Sequence, residues 1–242
     1  MLQMISLMDH LLQDIRLDFK FTAYKVLAMS KSDGMIEFVP ESKTIFDILR
    51  EYREKIDMFL KKIAEEGDLE TVKDVYIRSC AGYCTVTYLL AVGDRHLENL
   101  LIDSTGHLFH VDFGFIFGRN PPGKKIMSPP IRICREMVDC MGGFESEGYE
   151  EFKKKCGESF LYLRNSKKLI LNLFHMMIHS GIKDLPADNY ERILGQMNEK
   201  FLPNKNNQEA EKEFLNILKE SVMAFFPKVM EKLHEWAQYM KK

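Results

Sequence analysis

Residues 93–118, reading GDRHLENLLIDSTGHLFHVDFGFIFG, carry the groups with the most obvious chemistry. A polar run, Gly93-Asp94-Arg95-His96-Leu97-Glu98-Asn99, interrupts a long apolar helix pattern. Leu100-Leu101-Ile102 then reads as a short strand, Ser104-Thr105-Gly106 as a turn, and Leu108 to Val111 as a return strand that delivers Asp112-Phe113-Gly114. A hairpin brings its two ends together, so Asp94, His96 and Asn99 are expected near Asp112. One imidazole, one amide oxygen and carboxylates in a single pocket suit metal-assisted phosphoryl transfer. Hard oxygens hold magnesium, and a positioned base takes the proton from an attacking hydroxyl.

The surrounding elements must position these groups. Leu2, Ile5, Met8, Leu11 and Leu12 share a helix face near the N-terminus. Residues 17–29 alternate and read as a strand; Ser32-Asp33-Gly34 is a turn, and 35–39 return as a strand ended by Pro40. Residues 44–64 predict one long amphipathic helix, and 69–92 a second that ends where the polar run begins. Residues 119–130 form a proline-containing basic loop with Arg119, Lys124 and Lys125; Arg132 follows it. The remainder reads as helices over 135–141, 148–162, 167–179, 188–201 and 209–239. Gly142-Gly143 ends the first of them, Pro186 and Pro203 mark breaks, and Pro227 is expected to kink or restart the last.

Bulk properties exclude several classes. The chain of 242 residues is 45% hydrophobic and 29% charged, which is ordinary for a globular protein. Its formal charge of -2 supplies no basic field for nucleic acid, so no nucleic-acid partner is expected. No apolar run reaches the roughly 18 residues of a spanning helix. The five cysteines are an odd number in apolar or helical settings, which points to a reducing cytosol. Cys80 and Cys84 lie one helical turn apart but lack a second ligand pair, so packing is preferred over metal binding. His175 and His179 are read the same way. Residues 228–242 place Val229, Met230, Leu233, Trp236 and Met240 on one face, with Lys228, Lys232, Lys241 and Lys242 beside it. That pattern fits an interfacial helix at an anionic membrane, or equally a helix docked on the core.

Protein kinases write a catalytic loop H-R-D followed by Asn, then D-F-G. Here the order is Asp94-Arg95-His96, then Asn99 and Asp112-Phe113-Gly114. This resembles the phosphatidylinositol 3-kinase and 4-kinase superfamily, and within it the class III phosphatidylinositol 3-kinases. The resemblance spans nearly the whole chain. It includes Ile5-Ser6-Leu7-Met8-Asp9, Tyr24-Lys25-Val26-Leu27-Ala28, Ser79-Cys80-Ala81-Gly82-Tyr83-Cys84, Met141-Gly142-Gly143, Leu169-Ile170-Leu171-Asn172-Leu173-Phe174 and Ala237-Gln238-Tyr239.

The resemblance implies an α+β, protein-kinase-like fold. Residues 1–42 would be the remnant of the small lobe, a helix plus β-hairpin ending at the hinge. Residues 43–242 would be a complete, mostly helical large lobe with catalytic loop, activation loop and C-terminal amphipathic helix. It implies transfer of the ATP γ-phosphate to the 3-hydroxyl of phosphatidylinositol, with Mg2+, or alternatively Mn2+, as cofactor. His96 would be the base, Asp94 would orient the loop and the transferring phosphate, and Arg95 would support the loop. Asn99 and Asp112 would ligate the metal. Glu37, Phe38 and Val39 would line the adenine, with Tyr24 and Val111 in the same pocket; in residue terms alone, Tyr24 and Phe38 read as sheet core. Arg119, Lys124, Lys125 and Arg132 would meet the headgroup phosphate, where the alternative is an ordinary exposed basic loop. Expected partners are membrane phosphatidylinositol, a regulatory protein-kinase-like subunit and autophagy or endosomal scaffold subunits, on endosomal and autophagosomal membranes reached peripherally from the cytoplasm. The superfamily also uses a phosphate-cradling loop and a strand lysine, and neither is found upstream of the first helix. The polypeptide alone is therefore expected to be a poor catalyst. A truncated or non-catalytic fragment that binds membrane or partners, and a phosphatidylinositol 4-kinase, are the alternatives.

Overall fold

The structure is a computed structural model. It describes residues 1–30, 33–64, 68–119, 129–177, 180–181 and 188–239, with the backbone alone from 225 onward. Lys124, Lys125, His179, Pro186 and the side chains expected to make the C-terminal helix interfacial lie outside the described residues.

Helix α1 (Leu2–Gln13) buries Met4, Ile5, Met8 and Leu12, the stripe its sequence predicts. The following segment is not the long strand expected from its alternation. Only β1 (Val26–Ala28) is a strand, paired antiparallel with β2 (Gly34–Ile36). Lys20 sits at φ 52°, which breaks a ladder, and the aromatic rings before β1 are used for packing. Phe19 is buried, and Phe21 meets Tyr83 edge-on at 5.0 Å. Gly82 permits this approach, since a Cβ there would lie 2.6 Å from the Phe21 ring.

Residues 44–64 also differ from expectation. Helix α2 (Ile45–Glu51) stops and α3 (Ile56–Ala64) begins anew, with Arg53 and Glu54 in left-handed backbone between them. The break lets two apolar stripes reach the core: Ile45, Ile48 and Leu49 from one helix, Ile56, Phe59 and Leu60 from the other. Tyr52 at the corner packs edge-on to Phe59 at 5.6 Å. The Thr44 hydroxyl caps α2 by accepting the Asp47 N–H at 3.0 Å.

Helix α4 (Leu69–Leu89) is the axis of the large helical part. From Tyr76 to Leu89 nearly every residue is buried. It packs against α6 (Glu147–Asn165) and against the edge of a three-stranded sheet ordered β3 (Lys43–Thr44), β4 (Leu100–Ile102), β5 (Leu108–His110). The hairpin register pairs Leu100 with His110 and Ile102 with Leu108. All five cysteines are free and buried, which supports packing over metal binding.

Helix α5 (Arg135–Cys140) ends at Gly142 and Gly143, both at positive φ. Helices α7 (Lys167–Met176), α8 (Tyr190–Lys200) and α9 (Asn207–Tyr239) complete the order. The backbone of α9 passes through Pro227 without restarting; one missing N–H is tolerated in a ladder of 33 residues. No helix among the described residues is long and apolar enough to cross a membrane. The result is a mostly helical protein with small antiparallel sheets, a kinase-like combination of a small β-containing part and a large helical part.

Candidate active site

Hydrogen bonds across the hairpin bring its two polar ends together. The Val111 N–H donates to the Asn99 carbonyl at 3.0 Å, one step beyond the Leu100–His110 pair. Farther out, Gly93 N–H donates to Phe115 O at 2.8 Å and Gly118 N–H to Ala91 O at 2.8 Å. Residues 91–93 therefore lie alongside 115–118. Arg95 ties the polar loop to the residues that follow β5. Its Nε donates to Gly93 O at 2.9 Å, Nη1 to Val111 O at 2.7 Å, and Nη2 to Asp112 O. Its guanidinium also stands over the Phe113 ring at 5.5 Å.

Asp94 and Asp112 both occupy left-handed backbone, with φ of 50° and 56°. Such conformations in non-glycine residues concentrate where surrounding structure over-determines the chain. Asp112 Oδ1 accepts the Gly114 N–H at 3.0 Å, and a Cβ at Gly114 would press on that oxygen at 3.1 Å. Asn99 is buried, and its Nδ2 donates to the Asp94 carbonyl at 3.1 Å. This hydrogen bond fixes the orientation of the amide. His96 is partly exposed, with Nδ1 3.5 Å from Glu98 Oε2.

The expected nucleotide residues are more scattered. Tyr24 is buried, and its hydroxyl donates to the His110 carbonyl at 3.1 Å. Burial pushes its pKa up to about 12, while Arg95 and Asp112 act on it in opposite directions. The Glu37 N–H donates to Lys25 O and its carboxylate accepts the Lys25 N–H, both at 2.8 Å, which ties this segment back across the β1–β2 hairpin. The Val39 carbonyl accepts the Ser42 hydroxyl at 2.8 Å. Phe38 is 80% exposed and is not sheet core. Val111 packs against the core, and Arg119 is exposed just beyond Gly118. Arg132 lines a cleft of about 170 Å³ together with Asp94, Arg95 and Gly118. Burial draws the Arg132 pKa below its ordinary value.

Three groups near this site were not among the sequence candidates. Glu98 stands beside His96, a proximity that the two-residue spacing could have suggested. His110 is buried and stacks on Tyr83, centroids 5.0 Å apart and planes 3° apart. Lys200 lines the Asp94–Arg132 cleft from a remote helix, and no local signal marks it.

Among the described residues, no group of three His, Cys, Asp or Glu could hold a metal. The donors that fit a hard cation are the Asn99 amide oxygen and the Asp112 carboxylate. Two protein oxygens suit Mg2+, which commonly keeps water and substrate phosphate as its other ligands.

The sequence model of the family described as "Phosphatidylinositol 3- and 4-kinase" matches residues 1–186. The chain is 46% identical over 242 residues to phosphatidylinositol 3-kinase VPS34 of Arabidopsis thaliana, covering 98% of this chain and 29% of that protein. It is 45% identical over 241 residues to the nodule isoform of phosphatidylinositol 3-kinase from Glycine max, covering 98% and 29%. Against phosphatidylinositol 3-kinase pik3 of Schizosaccharomyces pombe the identity is 41% over 248 residues, covering 99% and 30%. The chain thus spans less than a third of the length of these relatives. The chain belongs to the phosphatidylinositol 3- and 4-kinase family and is closely related to its VPS34-type members over most of its length.

Proposed function

We propose that this chain forms the catalytic-loop side of a lipid kinase that transfers the ATP γ-phosphate to the 3-hydroxyl of phosphatidylinositol. The observation that carries this reading is the Arg95 clamp, which holds the Asp94–Asn99 loop against the strand end bearing Asp112. In this reading residues 1–42 belong to the small lobe and 43–242 to the large lobe. Tyr24, Glu37, Phe38, Val39 and Val111 line the nucleotide, with the small-lobe hairpin as the adenine side. His96 accepts the proton of the attacking hydroxyl and returns it to solvent. The Glu98 carboxylate, 3.5 Å from Nδ1, favours the imidazolium that forms. Asp94 orients the loop through its carbonyl, which accepts from Asn99.

Asn99 and Asp112 hold Mg2+, which when bound neutralises charge on the phosphoryl oxygens. Asn99 is already aimed by its bond to Asp94, so little reorganisation is needed. In this reading Arg119 and Arg132 meet the headgroup phosphate, and Lys124 and Lys125 are assigned to it from the sequence alone. The partners and setting that follow are membrane phosphatidylinositol, a regulatory kinase-like subunit and endosomal or autophagic scaffolds, with peripheral membrane attachment.

The test is Asp112→Ala in the full-length protein, assayed on phosphatidylinositol vesicles with product regiochemistry determined. Phosphorylation at the 3-position should fall at least about a thousand-fold. Retained turnover in the variant would refute the role of Asp112, and a 4-phosphate product from the parent protein would replace the 3-kinase reading with its alternative.

A further inference from the structure

The cleft beside the catalytic loop is lined by three cations and one carboxylate: Arg95, Arg132 and Lys200 against Asp94. Gly118 and Pro130 form part of its rim. Arg95 and Arg132 come from segments next to the sequence motif. Lys200 comes from the last turn of α8, about a hundred residues away.

The ammonium of Lys200 is held by a hydrophobic surface. It stands over the Tyr88 ring, 4.9 Å from the centroid. Tyr88 itself is buried and packs against Phe160 and Phe214, so this ring is a fixed platform. Burial lowers the Lys200 pKa, and no carboxylate among the described residues offsets that effect. A lysine on a protein surface ordinarily extends its charge into water. Here Lys200 lines a concave site that Arg95 and Arg132 also line. Cationic residues that share one cleft can meet on a single anion. A phosphate mono- or diester matches this set, because Arg supplies a planar fork and Lys a point charge.

We propose that Lys200 is a binding residue for the phosphodiester of the inositol lipid, completing with Arg132 an anion site adjacent to the catalytic loop. This inference rests on the lipid-kinase reading and adds a residue from outside the catalytic and activation segments. The same chemistry could instead meet a phosphate of ATP, so the experiment separates the two sources. A purely structural role is the other possibility, since a cation in the last turn of a helix also faces its terminal carbonyls.

The test uses the full-length protein with Lys200→Met, which keeps the stem over Tyr88, and Lys200→Arg. Initial rates are measured on phosphatidylinositol in phosphatidylcholine vesicles, with ATP varied separately. Binding of glycerophosphoinositol, the deacylated headgroup, is measured by calorimetry without ATP. In K200M the KM for phosphatidylinositol should rise about ten-fold or more, with kcat changed less and KM for ATP unchanged. Glycerophosphoinositol binding should weaken by the same factor, and K200R should restore most of both. A rise confined to the KM for ATP would assign the site to the nucleotide and overturn the proposal. Unchanged lipid KM and unchanged headgroup binding, with or without a lower melting temperature, would make Lys200 structural and overturn it too. A parent protein that phosphorylates no phosphatidylinositol would sink the kinase reading. The calorimetric comparison would then still decide whether Lys200 binds this headgroup.

Discussion

Arg95 directs its guanidinium to backbone oxygens of Gly93, Val111 and Asp112, and so joins the loop bearing His96 to the strand end bearing Asp112. A lysine keeps the charge at that position but has no planar fork to reach three carbonyls at once. Arg95→Lys should lower kcat about a hundred-fold, the scale of a small misplacement of reacting groups, and should leave the KM values nearly unchanged. Steady-state kinetics on vesicles check this, and an unaltered kcat would show that the loop holds its geometry without the clamp. The residues of this loop were legible in the sequence because the hairpin is local. A turn at Ser104 to Gly106 is enough to bring Asn99 beside Val111. Lys200 was not legible, because its place in the cleft depends on where α8 packs. Phe38 read as strand core from its type alone, yet it is exposed, since the small hairpin has no covering layer among the described residues.

At the scale of elements, a buried hydroxyl helps to tie the hairpin to α4. Strand β5 is the edge of its sheet, and its Leu108 N–H donates to Ser79 Oγ at 2.9 Å. That hydroxyl in turn donates to the Val75 carbonyl at 2.8 Å, so Ser79 links helix and sheet. Ser79→Ala leaves a buried N–H without an acceptor and should cost about 1–3 kcal/mol. The expected readout is a lower urea midpoint with the same slope; an unchanged midpoint would mean that Leu108 finds another acceptor. Strong periodicity made α1 and α4 readable, although α4 ends at Leu89 and leaves the next residues free to pair with 115–118. The break between α2 and α3 was hidden. The apolar spacing continues through Tyr52, and neither Gly nor Pro marks the corner that Arg53 and Glu54 turn in left-handed backbone. Packing of Tyr52 on Phe59 decides there, against local preference.

For the molecule as a whole, the most consequential buried ionisable group is His110, at the junction of sheet, α4 and candidate site. It is 2% exposed, its ring lies flat on the fully buried Tyr83, and its Nδ1 has no hydrogen-bond partner among the described residues. Burial first, then the nearby Arg95 and Arg132 charges, hold its pKa well below the ordinary imidazole value. An unfolded chain takes up this proton near pH 6.5. Below that pH the unfolded state binds one more proton than the folded state, so stability falls as pH falls toward the folded pKa. Above about 6.5 both forms are neutral at this site and it adds no pH dependence. Between pH 7.5 and 5.5 the protein should therefore lose on the order of 1 kcal/mol through His110 alone. Other titrating groups contribute in the same window, and comparison with His110→Phe, which preserves a ring against Tyr83, removes them. Urea unfolding of both proteins at the two pH values measures the difference. The variant should be less sensitive to acid by about that amount; equal losses would show that His110 already exchanges its proton with water in the folded state.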